Sequence, residues 1–220
     1  MAAVAFFLLL SITTNILCNV FAFDPRPLQD FCVADDESPL RFGGALPCKD
    51  PKSVTPDDFY YTGLDQPNNI TNPFHAGFKL VGVEEVPGLN TLGLNMARLD
   101  LGPNGLFPLH SHERASELHI VIKGKLEVGF ISPKQGYKYY SKILGVGDMF
   151  VVPPGLIHVQ RNPGVEHMSS YTIFNSQSPG IDVITQAVFG SNPMMDTHYL
   201  AQTYKMNDKI IKTLQGKPWP

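Results

Sequence analysis

The sequence predicts an all-β protein: one small β-barrel, with an irregular arm before it and helices after it. Three observations carry this. From about residue 79 onward, short apolar alternations are broken by Gly, Pro and Asn every 8–12 residues. The 220 residues are 43% hydrophobic and 17% charged, with 19 Gly and 19 Pro, which suits one loop-rich domain with a core and not two. No internal repeat is visible, so there is one barrel. The net charge of −3 gives no electrostatic reason to bind nucleic acid or an anionic membrane. Coiled coils, polytopic membrane proteins and collagen-like chains are excluded by composition.

Residues 2–10 (AAVAFFLLL) form an unbroken apolar run. Val20 and Ala22 place small residues where signal peptidase accepts them, so residues 1–22 read as a secretory signal cleaved after Ala22. The run is too short to span a bilayer, and Ser11, Thr13, Thr14, Asn15 and Asn19 interrupt its continuation. The protein is therefore expected in the extracellular space, with no membrane span. Cys18 departs with the signal. Cys32 and Cys48 remain and read as one disulfide in an oxidising compartment, with two free thiols as the alternative. A zinc site would want further Cys or His nearby. Asn69-Ile70-Thr71 is a glycosylation sequon once secretion is granted.

Residues 23–62 are rich in Pro and Asp and lack periodicity, so an irregular arm is expected there. The barrel is placed at 63–190. Leu118, Ile120 and Ile122 alternate with His119, Val121 and Lys123, and Leu126, Val128 and Phe130 with Lys125, Glu127 and Gly129. These read as a hairpin turning at Lys123-Gly124-Lys125. Asp148 to Val152 is a strand stopped by Pro153-Pro154-Gly155, and Met168 to Phe174 and Ile181 to Val188 complete the set. Tyr137, Tyr139 and Tyr140 read as an amphipathic strand face. Residues 191–220 form a helical segment, with Leu200, Tyr204, Ile210, Ile211 and Leu214 at helical spacing as a face that packs on something, such as another subunit.

Four side chains suggest chemistry: His110, His112, Glu117 and His158. In an extended strand, His110 and His112 point to one face with Cα atoms about 7 Å apart, right for two ligands of one ion. Glu117 opens the next strand and can return a carboxylate to that spot. His158 follows the Pro-Pro-Gly turn. Three neutral nitrogens and one carboxylate leave two positions open on a six-coordinate ion, which suits Mn(II) or Fe(II) better than structural zinc. The other histidines (His75, His119, His167 and His198) read as ordinary core or rim residues. His119 shares strand parity with Glu117, but nothing in the sequence gives it a partner.

The spacings are His110-x-His112-x4-Glu117-x6-Gly124 and Gly147-x5-Pro153-x-Gly155-x2-His158-x3-Asn162. The pair resembles the two cupin motifs. The mature chain as a whole resembles plant germin-like proteins, through residues 28–35 (LQDFCVAD), 88–93 (GLNTLG), 174–180 (FNSQSPG) and 187–193 (AVFGSNP). The resemblance implies a jelly-roll barrel in the apoplast or cell wall, and one manganese per chain held by His110, His112, Glu117 and His158. It also implies a Cys32–Cys48 disulfide and a homohexamer, a trimer of dimers locked by the C-terminal helices. Activities in the family include oxalate oxidase and superoxide dismutase, and other members have receptor or inhibitor roles.

This chain departs from the pattern at several positions. Asn104 stands where the first motif usually has Gly, and Asn tolerates positive φ. Ala97 and Phe107 match positions where oxalate-oxidising germins carry asparagines, whose amides hold the substrate. Leu109 and Glu113 replace prolines common beside the ligand histidines, making the entrance more apolar. The resulting expectation is a secreted manganese protein with superoxide dismutase activity, a role in defence or oxidative chemistry, and no oxalate oxidation. The alternatives are a non-enzymatic binding or storage protein, and an enzyme on a larger apolar substrate contacting Phe107 and Leu109.

Overall fold

The computed structural model describes residues 29–40 and 46–219. The expected signal segment, residues 1–22, lies outside the described residues. The chain divides into residues 1–31 and 32–220; of the first, residues 29–31 alone are described, and they form no helix or strand. No helix among the described residues is long and apolar enough to cross a membrane.

The described residues of the second unit include ten strands: β1 (Ala76–Val81), β2 (Asn95–Leu101), β3 (Leu106–Ser111), β4 (Glu117–Lys123), β5 (Leu126–Ser132), β6 (Lys138–Leu144), β7 (Met149–Val152), β8 (His158–Arg161), β9 (Met168–Phe174) and β10 (Asp182–Val183). They form two antiparallel five-stranded sheets, in the orders β1-β2-β9-β4-β7 and β10-β3-β8-β5-β6. This is a jelly roll, and the all-β expectation is met. One element of it differs. β4 and β5 are not a paired hairpin: β4 pairs with β7 and β9, while β5 pairs with β6 and β8 in the other sheet. Gly124, at φ 71°, turns the chain across the end of the barrel. A Cβ there would meet the His167 carbonyl oxygen at 2.8 Å, so the corner needs glycine twice over.

The register sorts each strand into an inner and an outer face. Leu99, Leu101, Val121, Leu126, Val128, Leu144, Val152 and Met168 form the buried core. On β4 the inner row is Glu117, His119 and Val121, all buried, whereas Leu118, Ile120 and Ile122 are half-exposed on the outside. The more polar row is therefore the buried one. At the end of the barrel where β4 and β8 begin, the interior is polar.

The described residues of the arm, 29–40 and 46–62, are irregular, as expected, with short 3-10 turns at Pro51–Ser53 and Pro56–Phe59. Cys32 and Cys48 form the expected disulfide, beside an isolated antiparallel bridge between Ala34 and Cys48. Residues 64–68 are tied to the outer face of β2. Arg98 donates from Nε and Nη2 to Asp100 at 2.8 and 2.9 Å, and from Nη1 to the Leu64 carbonyl at 2.8 Å. Asp100 also accepts from the Asn68 backbone N–H at 2.8 Å and from the Ser169 hydroxyl at 2.6 Å. His167 Nε2 lies 3.0 Å from Asp100 Oδ1, the oxygen that also accepts from Ser169. The clamp holds the sequon in register: Asn69 follows immediately and is exposed.

Ile181 to Val188 is not one strand. Only Asp182–Val183 pairs, with His110 and Ser111, and α1 (Ile184–Phe189) follows. The β-branched run suggested a strand. The helix prevails because it brings Val188 and Phe189 against Leu200, Ala201 and Ile211 of α2 (Thr197–Tyr204) and α3 (Asp208–Gln215). The tail therefore buries Leu200 and Ile211 within itself and leaves Tyr204 and Ile210 exposed. Tyr137 sits at positive φ in a turn before β6, so Tyr139 and Tyr140 alone belong to that strand.

Burial alone would raise the Asp100 pKa, but the Arg98 guanidinium and the other donors outweigh it and hold it below the ordinary carboxylate value. Its contribution is present above the unfolded value near 3.8 and is lost as pH falls toward the folded value. Replacing Asp100 by Ala leaves Arg98 buried without its partner and is expected to cost about 3–5 kcal/mol, read by urea unfolding at pH 7. A loss within the range of an ordinary surface substitution would show that the clamp contributes little.

Candidate metal centre

His110, His112, Glu117 and His158 converge as expected, each offering one ligand atom within 4.8 Å of the others, and all four are buried. Each comes from a different local device. His110 and His158 are register partners on β3 and β8. Their ring centroids lie 4.0 Å apart. His112 follows the end of β3, with its ring 5.0 Å from that of His110. Glu117 is the first residue of β4, paired with Val152 and Phe174.

The imidazole orientations are set by the backbone. His110 Nδ1 lies 2.7 Å from the Pro108 carbonyl and His158 Nδ1 lies 2.9 Å from the Leu156 carbonyl. His112 Nδ1 bonds the Gly180 carbonyl. A carbonyl oxygen only accepts, so each Nδ1 carries the hydrogen and each neutral ring keeps its lone pair on Nε2. Gly180 is at φ 68°, and a Cβ there would meet Arg114 Nη2 at 2.7 Å and Glu113 Oε2 at 2.8 Å. Glycine therefore lets the carbonyl that orients His112 reach its place.

Inside the cluster, Glu117 Oε2 lies 2.8 Å from His158 Nε2 and 3.7 Å from His112 Nε2. Distance alone would make the first an ion pair. The two are not hydrogen-bonded, however: both atoms are buried without a hydrogen-bond partner, and a ring protonated on Nδ1 alone turns a lone pair to the carboxylate oxygen. Buried orphans of this kind are costly. A cation among the three Nε2 atoms and Oε2 satisfies every one of them. The donor set of nitrogens and a carboxylate, without thiolate, suits a borderline-to-hard divalent ion.

The charge states agree. Burial, then repulsion from His158, lowers His110 to about 3 from 6.5, and burial lowers His112 in the same direction. Burial alone would raise Glu117, but the neighbouring His119 outweighs it and holds the carboxylate well below its ordinary value. Neutral imidazoles and an ionised carboxylate are the forms that bind a metal.

The flanking positions fall as follows. Phe107 packs edge-on against His110, with ring centroids 4.8 Å apart, and Phe78 packs on Phe107 at 5.7 Å. A register shift between Phe107 and His110 brings these residues together, whereas strict alternation would have separated them. Ala97 is fully buried beside Ala115 and Phe174, and the Phe174 ring packs edge-on against His112. Leu109 is 43% exposed. Asn104 takes φ 54°, the conformation expected where glycine is usual.

His119 does have partners. It is 0% exposed. Its Nε2 lies 3.2 Å from Glu117 Oε1, and its Nδ1 lies 3.1 Å from the Thr172 hydroxyl. Gln160, also buried, donates to Glu117 Oε1 at 3.1 Å. Strand parity (117 with 119, 158 with 160) was the available signal. Thr172 and the Gly180 carbonyl had none, since cross-strand pairing and a distant loop supply them.

The fold and the cluster define a class, the cupins. The family model described as Cupin matches residues 62–212. Germin-like protein 3-7 of Oryza sativa subsp. japonica is 44% identical over 207 residues, covering 92% of this chain and 87% of that protein. Germin-like protein subfamily 1 member 20 of Arabidopsis thaliana is 40% identical over 208 residues and 94% of each chain. Among solved structures, recombinant oxalate oxidase in complex with glycolate matches with a TM-score of 0.82 and 36% identity, covering 88% of this chain and 96% of that one. The chain belongs to the plant germin-like proteins of the cupin family.

The lowered imidazole pKa values set a pH dependence. Between about 6.5 and 3 the unfolded chain binds a proton at His110 that the folded chain does not, so stability falls as pH drops through that window. The same sign holds for His112. Urea midpoints of metal-free protein are expected to decline steadily from pH 7 to pH 4, with a shallower slope in His110→Gln. Equal slopes in the two proteins would contradict this.

Proposed function

We propose that this chain is a secreted, glycosylated manganese protein that dismutes superoxide and does not oxidise oxalate. The observation that carries the metal is the pair of orphaned atoms, Glu117 Oε2 and His158 Nε2, facing two further Nε2 lone pairs. Manganese is favoured by the mixed nitrogen and carboxylate set and by the family. When bound, it supplies the one-electron couple by which one superoxide is oxidised to dioxygen and a second, with two protons, is reduced to hydrogen peroxide.

The residues divide that work. The three imidazoles present Nε2 in orientations fixed by backbone carbonyls, and Glu117 adds a negative charge that stabilises a cation. Phe107 and Phe174 cover two of the histidine rings and exclude water on those sides. Superoxide is small enough to pass them. Oxalate needs hydrogen-bond donors for its oxygens, and neither Ala97 nor Phe107 can supply one from its side chain.

Secretion accounts for the 1–22 segment and the Cys32–Cys48 disulfide, and exposed Asn69 accounts for glycosylation. A homohexamer, a trimer of dimers, accounts for the exposed Tyr204 and Ile210 of the tail and for Met149 and Val151 on the outer sheet face, 58% and 46% exposed. A second reading, an enzyme acting on a larger apolar molecule, is supported by the Phe78–Phe107 pair beside His110.

The test is metal analysis of the secreted protein, with superoxide and oxalate turnover assayed on the same sample. About one manganese per chain is expected, with superoxide removal and no oxalate turnover. Glu117→Ala and His110→Ala are expected to lose the metal, the activity and thermal stability together. Full manganese with neither turnover would overturn the dismutase reading, and unchanged metal in both variants would overturn the ligand assignment.

A further inference from the structure

His119 stands out among the buried groups that the proposed chemistry does not use. It lies in the register row Ala97–Thr172–His119–Phe150, whose members beside it are apolar except Thr172. A fully buried imidazole in such a row is costly unless its nitrogens are bonded. Both are, and one of the bonds reaches a ligand.

The positions of three atoms constrain the tautomer. Gln160 Nε2, His119 Nε2 and Glu117 Oε1 form a triangle with sides of 3.1, 3.0 and 3.2 Å. With the imidazole proton on Nδ1, the Nε2 lone pair would accept from Gln160 Nε2 at 3.0 Å but stand 3.2 Å from a carboxylate oxygen. With the proton on Nε2, Oε1 gains a second donor and Nδ1 accepts from the Thr172 hydroxyl at 3.1 Å. The second arrangement leaves no acceptor facing an acceptor, and sets the Nε2–H and the Gln160 amide side by side as donors to Oε1.

We propose that His119 is a positioning residue for the metal centre: with Gln160 it occupies Glu117 Oε1, so that Oε2 alone is turned toward the three histidine nitrogens. This rests on the metal-binding reading above and adds two side chains, His119 and Gln160, around the four ligands. Glu117 Oε1, which only accepts, selects the tautomer, Thr172 satisfies Nδ1, His119 and Gln160 hold that carboxylate oxygen, and the other is left free for the ion. The carboxylate would then contribute one oxygen rather than two, which keeps coordination positions open for a small substrate. Partners of this kind, one bond removed from the metal, orient its ligands and tune its affinity.

The experiment compares wild type, His119→Leu and His119→Gln as secreted, metal-stripped proteins. Mn(II) affinity is measured by titration calorimetry, and ligand symmetry by the electron paramagnetic resonance spectrum of bound Mn(II). His119→Leu is expected to weaken Mn(II) binding roughly 10–100-fold and to alter the spectrum. His119→Gln, whose amide can donate to Oε1, is expected to restore most of the affinity and the wild-type spectrum. Wild-type affinity and spectrum in His119→Leu would overturn the proposal. So would a His119→Gln variant that binds as weakly as His119→Leu, since a packing role would not depend on the donor. If His119→Leu fails to fold, His119→Gln decides alone: near-wild-type binding supports the donor role and strongly weakened binding overturns it. A wild-type protein that takes up no Mn(II) would instead overturn the metal reading itself.

Discussion

Each ligand imidazole is held by its Nδ1 hydrogen on a backbone carbonyl, at Pro108, Leu156 and Gly180. The geometry of the centre depends on this constraint. Two of the carbonyls lie two residues before the histidine they orient, so the strand that carries the ring also aims it. The third comes from a loop 68 residues away, and its position depends on a glycine at positive φ. Because the carbonyls only accept, all three lone pairs are turned to one point. That leaves Glu117 Oε2 and His158 Nε2 as neighbouring acceptors, an arrangement that repels itself without a cation.

The fold tolerates this because stability and chemistry occupy opposite ends of the same strands. Leu99 and Leu101 on β2, Val121 on β4, Leu126 on β5 and Met168 on β9 fill one end. Ala97, Glu117, Phe130 and Phe174, on those same strands, lie at the other, where His158 pairs with Phe130 and Glu117 with Phe174. The apolar end contributes the burial that drives folding, while the polar end keeps its groups bonded to one another. Asp100 and Arg98 repeat the pattern outside the barrel: a buried charged pair is tolerated because donors and acceptors around it are matched.

Much of this was legible in the sequence. Strand periodicity gave the barrel, two spaced motifs gave the four converging side chains, and cysteine counting gave the disulfide. The failures have physical causes. Gly124 was read as a hairpin turn because local alternation shows that two strands are adjacent in sequence and does not show which sheet each joins. Ile181 to Val188 was read as a strand from its β-branched residues, but contacts with Leu200, Ala201 and Ile211 decide in favour of helix after residue 183. His119 looks partnerless in sequence because Thr172 arrives by cross-strand pairing, and Gln160, which shares Glu117 Oε1 with it, by packing of the other sheet. The apolar parity of β4 pointed outward, since function placed Glu117 and His119 on the buried side.

The most direct measurement is a crystal structure of the manganese-loaded, secreted protein with anomalous scattering at the metal edge. The expected result is one ion per chain bound by Nε2 of His110, His112 and His158 and by Oε2 of Glu117, with each Nδ1 still on its carbonyl. An ion bound through an Nδ1 nitrogen, an ion seated elsewhere, or a loaded cluster in which Glu117 Oε2 still faces His158 Nε2 with no cation between them would contradict it.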